Sequence, residues 1–341
     1  MLLASGGGAV LGRARDVVRA YRAAYRNWPS VLLNVALRGK AKAIARDGRV
    51  IEGERYLIGT AARLYALGLR GKALDRFLQL RYLLDKGGSI SETKARELLA
   101  ILDKLYELRY KLRCCKLVLV SDDLSYVILD IKGKKVTLWG WDKVQFKLDI
   151  NDYLFLNVKD KSVLDIGAFV GDSAILFALR GARRVVAVEP SPWAYSMARK
   201  NVEANGLGNV ITLVNCAVGR EDGKVLMLPS GEIDTSFRAT DSYRGDVPVP
   251  TCTLDSLIER YGPFDVLKMD CEGCEHESIP YSRMVGEIRE VLVEYHDGYE
   301  DVVRKLKEEG FKHVKYSKML SGGKLYSVPI DTTIGLLYAY R

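Results

Sequence analysis

The stretch VLDIGAFVGDSAILFALRG, residues 163–181, does most to limit what this chain can fold into. An apolar run of strand type passes through Asp165, meets glycines at 167 and 171, and continues as a helical pattern. Glycine at such a turn lets the backbone come close to a ligand where a side chain would clash. The next run, RVVAVEP, ends at the acidic Glu189 and leads into the helical WAYSMARKNVEANG. VITLVNCAV, LDSLIERYG, DVLKMD, EVLVEYH and DVVRKLKEEG keep the alternation going, and FKHVKYS and TIGLLYAYR close the chain. Alternating strands and helices predict an α/β domain over residues 159–341, a parallel sheet covered by helices on both faces.

The glycine spacing is G-x-x-x-G, not the G-x-G-x-x-G of nicotinamide and flavin enzymes. Glu189 nevertheless stands where an acidic residue accepts the ribose hydroxyls of an adenosine cofactor. Together these features resemble the Rossmann-like methyltransferases that use S-adenosylmethionine (SAM). VLDIGAFVGDSAILFALRGARRVVAVEPSP, NVEANGL, TLDSL, LKMDCEGCE and VEYHDG narrow the resemblance to the FkbM family. That family's fourth strand typically ends in D-x-E-G-x-E, which Asp270, Glu272, Gly273 and Glu275 match. The resemblance implies a class I methyltransferase domain with a mostly parallel seven-stranded sheet. It also implies SAM as cofactor and O-methylation of a hydroxyl on a sugar, glycan or other small metabolite.

In an open parallel sheet the ligand lies beyond the carboxyl ends of the strands. On that rule Asp165, Gly167 and Gly171 surround the methionine part of SAM, and Glu189 holds its ribose. Asn215, Cys216 and Ala217 lie near the adenine. Asp270 and Glu272 border the reacting end, joined by Glu294 and His296 from the fifth strand. An aliphatic hydroxyl is a poor nucleophile until a base removes its proton. His296 is the preferred base, because its pKa class suits neutral pH, with Asp270 the nearest alternative. Asp270, Glu272 and His296 are also a set able to hold a divalent ion that binds a diol. The preferred reading assigns no metal. His276 and His313 are of less interest, and Ser236 and Arg238 belong to a polar loop expected to reach over the site.

Cys271 and Cys274 fill the variable positions of the acidic motif. A structural zinc site needs four ligands, usually in two pairs, and no second C-x-x-C exists. Packed thiols are the expectation for both, as for Cys252, with a disulfide or zinc as alternatives.

Residues 1–110 read as a basic, mainly helical region, with helices around 9–26, 56–69 and 72–86. A further helix begins at Ser89, where Ser89 and Glu92 have capping-box spacing. Leu98, Ile101, Leu102, Leu105, Leu108 and Leu112 form its stripe. The RDGRV segment suits a tight turn between short strands. Residues 111–158 read as a small antiparallel β segment made of KLVLVS, YVILDI, KVTLWGW and YLFLNV.

Residues 1–113 hold 23 Lys and Arg against 10 Asp and Glu, whereas the remainder holds 29 against 33. That asymmetry keeps two other functions open: a ribose 2′-O methyltransferase gripping RNA through the basic front, and a SAM-binding interaction module without catalysis. No apolar run is long enough for a membrane span and no secretory signal is apparent, so a cytoplasmic protein is expected. Two glutamines among many charged residues fit a thermophile.

Overall fold

A computed structural model describes residues 14–85, 101–102, 104–105, 108, 115–121, 124–131, 133–142, 153, 156–233, 236–239, 244–317 and 324–341. Ser89, Glu92, Leu98 and Leu112 of the expected helix lie outside the described residues, while Ile101, Leu102 and Leu105 are helical. The chain divides into two compact units, Met1–Lys135 and Val136–Arg341. The division falls inside the β segment expected as a piece of its own. No helix among the described residues is long and apolar enough to cross a membrane.

The first unit contains helices α1 (Ala14–Ala24) and α2 (Trp28–Arg38), strands β1 (Lys40–Ile44) and β2 (Val50–Glu54), and helices α3 (Arg55–Ala66) and α4 (Gly71–Asp85). β1 and β2 pair antiparallel around the expected RDGRV turn. Tyr25 is fully buried here, its hydroxyl donating to the Ile58 carbonyl at 2.7 Å. Strands β3 (Cys115–Val120) and β4 (Tyr126–Ile131) pair antiparallel, and β5 (Lys134–Trp139) follows across the division between the units. YLFLNV forms no strand at Leu156–Val158, contrary to its apolar pattern. Arg180 instead takes the Tyr153 and Leu156 carbonyls, at 2.9 and 2.8 Å.

In the second unit, β6 (Ser162–Ile166), α5 (Asp172–Leu179), β7 (Arg184–Val188), α6 (Pro192–Ala204) and β8 (Ile211–Val214) follow in the predicted alternation. Next come β9 (Ala217–Val218), β10 (Val225–Leu228), β11 (Val247–Cys252), α7 (Leu254–Tyr261), β12 (Val266–Met269) and the short α8 (Cys274–Ser278). β13 (Glu290–His296), α9 (Glu300–Glu308), β14 (His313–Ser317) and β15 (Ile334–Tyr340) complete the unit. Seven strands form one sheet in the order β14-β15-β13-β12-β6-β7-β8. The five from β13 to β8 run parallel, and β15 lies antiparallel to both its neighbours. This is the doubly wound Rossmann-like sheet expected from the sequence. β6 and β12 are buried at every position, as central strands covered on both faces must be. Leu164, Ile166, Leu267, Met269, Val291 and Val293 share a core with Leu257 of α7 and Leu306 of α9.

VITLVNCAV, read as one strand, is two. β8 stays in the main sheet, while β9 joins β10 and β11 in a second, three-stranded sheet. Gly171 caps α5 in the left-handed region, at φ 83°. A Cβ there would lie 3.2 Å from the Ala198 Cβ of α6. Gly171→Ala is therefore expected to cost about 1–2 kcal/mol, read as a lower thermal midpoint.

Candidate active site

The strand order reverses between β6 and β12, and a crevice beyond the carboxyl ends of the strands at such a point is where α/β sheets bind ligands. A cavity of about 490 Å³ opens there. Its wall includes Gly167, Phe169, Glu189, Ala217, Lys268, Asp270 and Glu272. Gly167 has φ 76°, and a Cβ on it would sit 1.7 Å from the Asp270 carbonyl oxygen. Only glycine lets the β6 turn close onto the β12 turn and set both on one wall.

Glu189 is 5% exposed and fixed by two backbone donors, Phe169 N–H and Ser191 N–H, each at 2.8 Å. Burial raises its pKa to about 7 against the lowering effect of those two bonds. Phe169, at φ 47°, packs against Trp193 with ring centroids 5.9 Å apart.

Asp165 is fully buried and off the cavity wall. It accepts from the Ser173 hydroxyl at 2.6 Å and lies 3.0 Å from Lys268 Nζ, on the neighbouring strand at the same register. Burial raises the Asp165 pKa, and Lys268 opposes the rise. Lys268 donates to the Gly167 carbonyl at 2.8 Å, so the pair holds the glycine turn from behind. Sequence reasoning missed Lys268, although a lysine inside the apolar run VLKM was the available signal.

Asn215 and Cys216 are not on the wall. The Asn215 side-chain amide donates to the Glu189 and Pro190 carbonyls, at 2.8 and 3.1 Å, and so braces the turn after Glu189. Cys216 is bonded to Cys252, with Cα atoms 6.0 Å apart. Cys271 and Cys274 are bonded as well, at a Cα separation of 5.5 Å. The expectation of packed thiols is corrected for all three. Left-handed backbone at Glu272 and Gly273 curls the C-x-x-C loop until its ends meet.

Asp270 and Glu272 also reach the cavity, with the Tyr153 hydroxyl 3.5 Å from Asp270 Oδ2. His296 lies behind them, 4% exposed at the end of β13. Its Nδ1 is 3.1 Å from Glu275 Oε1, which also accepts the His296 amide at 2.8 Å. Its Nε2 is 3.3 Å from Glu272 Oε2 and 3.8 Å from Glu294 Oε1. Burial works against a charged ring, but the Glu272 and Glu275 carboxylates outweigh it and raise the pKa to about 10. With only these carboxylates around it the ring favours its charged form, while the general base expected of His296 needs the neutral one. His276 is bonded through Nδ1 to Asp301, at 2.8 Å, and through Nε2 to the His296 carbonyl, at 2.7 Å. Arg238 reaches the wall and pairs with Asp297 at 2.9 Å, while Ser236 does not line it.

The glycine turn, the buried acid after β7 and the acidic loop after β12 all fall within one match to known proteins. Residues 165–313 match the family model of the methyltransferase FkbM domain. The methyl donor that such a domain implies is SAM. Among curated proteins, protein arginine N-methyltransferase 1 of Oryza sativa subsp. indica is 41% identical over 86 residues, 25% of this chain and 19% of that protein. Ribosomal RNA large subunit methyltransferase I of Klebsiella pneumoniae is 35% identical over 81 residues, 24% of this chain and 19% of that protein. The chain thus spans about a fifth of the length of these curated relatives. Among solved structures, an O-methyltransferase from Bacillus cereus in complex with SAH is 16% identical, with a TM-score of 0.33 over 53% of this chain and 74% of that one. A ribosomal protein L11 methylase from Lactobacillus delbrueckii subsp. bulgaricus is 16% identical, with a TM-score of 0.35 over 58% and 80%.

Proposed function

We propose that this chain is a SAM-dependent O-methyltransferase acting on a hydroxyl of a sugar, glycan or other small metabolite. The observation that carries the reading is one cavity lined by a ribose-type acid, Glu189, and by two further carboxylates, Asp270 and Glu272. Its volume of about 490 Å³ suits a small-molecule site. Gly167 lets the β6 turn close onto Asp270, where a side chain would collide with its carbonyl. Bound SAM supplies a methyl group already activated as a sulfonium. Glu189, held by two amides, accepts the ribose hydroxyls, and Phe169 offers an apolar face beside it. Asp270 is the proton acceptor this reading assigns, with Tyr153 orienting it and His296 holding the neighbouring Glu272 in place. Alignment of the acceptor across the cavity supplies much of the rate.

Incubation of the pure protein with SAM labelled in the methyl group and a fractionated lysate tests the reading. Label is expected in a glycan or small-molecule fraction, and none with Glu189→Ala. Asp270→Asn is expected to slow turnover on the order of a hundredfold at saturating SAM, measured by single-turnover kinetics. The basic excess of residues 1–113 favours one second reading, a ribose 2′-hydroxyl of RNA as acceptor. Label in RNA, with retention that weakens steeply as salt rises, would establish that reading and overturn the first.

A further inference from the structure

We propose that Asp270, Glu272 and His296 form a divalent-cation site at the acceptor end of the cavity. One ligand atom from each lies within 4.8 Å of the others. An ion bound at roughly 2.0–2.2 Å keeps adjacent ligand atoms about 3–3.5 Å apart, so the side chains would close by up to about 1.5 Å around it. A cluster of acids alone would carry no such conclusion; the buried histidine does. His296 Nε2 is sealed from solvent and points at this cluster, 3.3 Å from Glu272 Oε2 but without a hydrogen bond of good geometry, and an ion bound there takes the place of the ring proton. Its other nitrogen is held by Glu275, a fully buried carboxylate. A histidine ligand fixed in this way, one nitrogen toward the metal and the other on a carboxylate, is the usual outer-shell arrangement of metal sites.

Glu275 is itself anchored by the His296 and Gly273 amides, at 2.8 and 2.9 Å, so the support is rigid. The cavity supplies the open side. Asp270 and Glu272 line it while His296 closes the back, leaving the remaining coordination positions toward the bound acceptor. Two carboxylates and one imidazole suit Mn²⁺, which takes nitrogen beside oxygen ligands, better than Ca²⁺. The role of the ion rests on the O-methyltransferase reading: it binds neighbouring hydroxyls of the acceptor and makes one of them more acidic. The hydroxyl proton leaves to a carboxylate oxygen and then to solvent. The oxygen's electron pair forms the new O–C bond, and the broken C–S bond leaves its pair on sulfur.

The site is tested with Mn²⁺ as the probe, by the loss of its free-ion EPR signal on titration of the full chain after EDTA treatment. One bound ion per chain is expected. Glu272→Gln and His296→Gln, each checked for folding by circular dichroism, are expected to weaken binding by more than the roughly 10–100-fold typical of an outer-shell change. Glu277→Gln, which removes another cavity carboxylate, is expected to keep the ion. No binding at millimolar Mn²⁺, or binding that survives Glu272→Gln in a folded protein, overturns the site. Calorimetry of wild-type protein with S-adenosylhomocysteine in EDTA reads the cofactor site separately, so either proposal can fail while the other stands.

Discussion

Lys268→Met is expected to lower unfolding stability by about 3–5 kcal/mol, read from urea unfolding monitored by tryptophan fluorescence. The substitution keeps the apolar stem but removes the cation 3.0 Å from the Asp165 carboxylate. Both side chains are buried, so water cannot replace the lost partner. The hydrogen bond to the Gly167 carbonyl goes with it. Burial already raises the Asp165 pKa, and without Lys268 to oppose it Asp165 is driven toward its protonated form. Asp165→Leu combined with Lys268→Met is expected to lose much less than the sum of the single changes, because the double variant leaves no buried charge unpaired. A loss under about 1 kcal/mol for Lys268→Met, or strict additivity in the pair, would show that the ion pair does not hold the turn.

The same pair shows where the sequence was legible. Strand–helix alternation from residue 162 onward was readable because β6, β7, β12 and β13 are buried on both faces and so carry apolar runs, with a charged residue only here and there. Helix α2, WPSVLLNVALR, was not read as a helix, since it lacks the alternation of polar and apolar faces that marks one. The second sheet was hidden because β10 and β11 are short and β11 carries two prolines, which read as loop. At the site, Gly167, Glu189, Ala217, Asp270 and Glu272 line the cavity wall. Asp165, Gly171, Asn215 and Cys216 were near in sequence but serve the wall from behind. What decides between the two roles is which way a residue faces and what its neighbour does. Asp165 turns inward because Lys268, 103 residues later, lies beside it across the sheet. No local pattern contains that partner. The base assignment met the same limit: His296 is a free imidazole in sequence, but three carboxylates from two segments converge on it in the fold.

Glu189→Ala is expected to weaken SAM and S-adenosylhomocysteine binding by about 10²–10⁴-fold, since two hydrogen bonds to a charged group are worth roughly 1.5–3 kcal/mol each. The effect should also depend on pH. Burial raises the Glu189 pKa to about 7, with Lys268 lowering it slightly and Asp165 raising it. In the ligand-free protein the carboxylate is thus largely protonated below pH 7 and ionised above. Ribose hydroxyls donate to the ionised form, so binding favours it and releases a proton where the free protein carries one. By linkage, affinity rises with pH up to about 7 and levels off above it. The two backbone amides on Glu189 also donate to the carboxylate, so they reinforce the ionised state once the cofactor is bound. Calorimetry from pH 5.5 to 8.5, in buffers of different ionisation enthalpy, measures both the affinity step and the released proton. Glu189→Gln, which carries no charge to titrate, is expected to bind weakly with a flat profile. Wild-type affinity that stays level across the range, or Glu189→Ala binding within threefold of wild type, would place the ribose elsewhere.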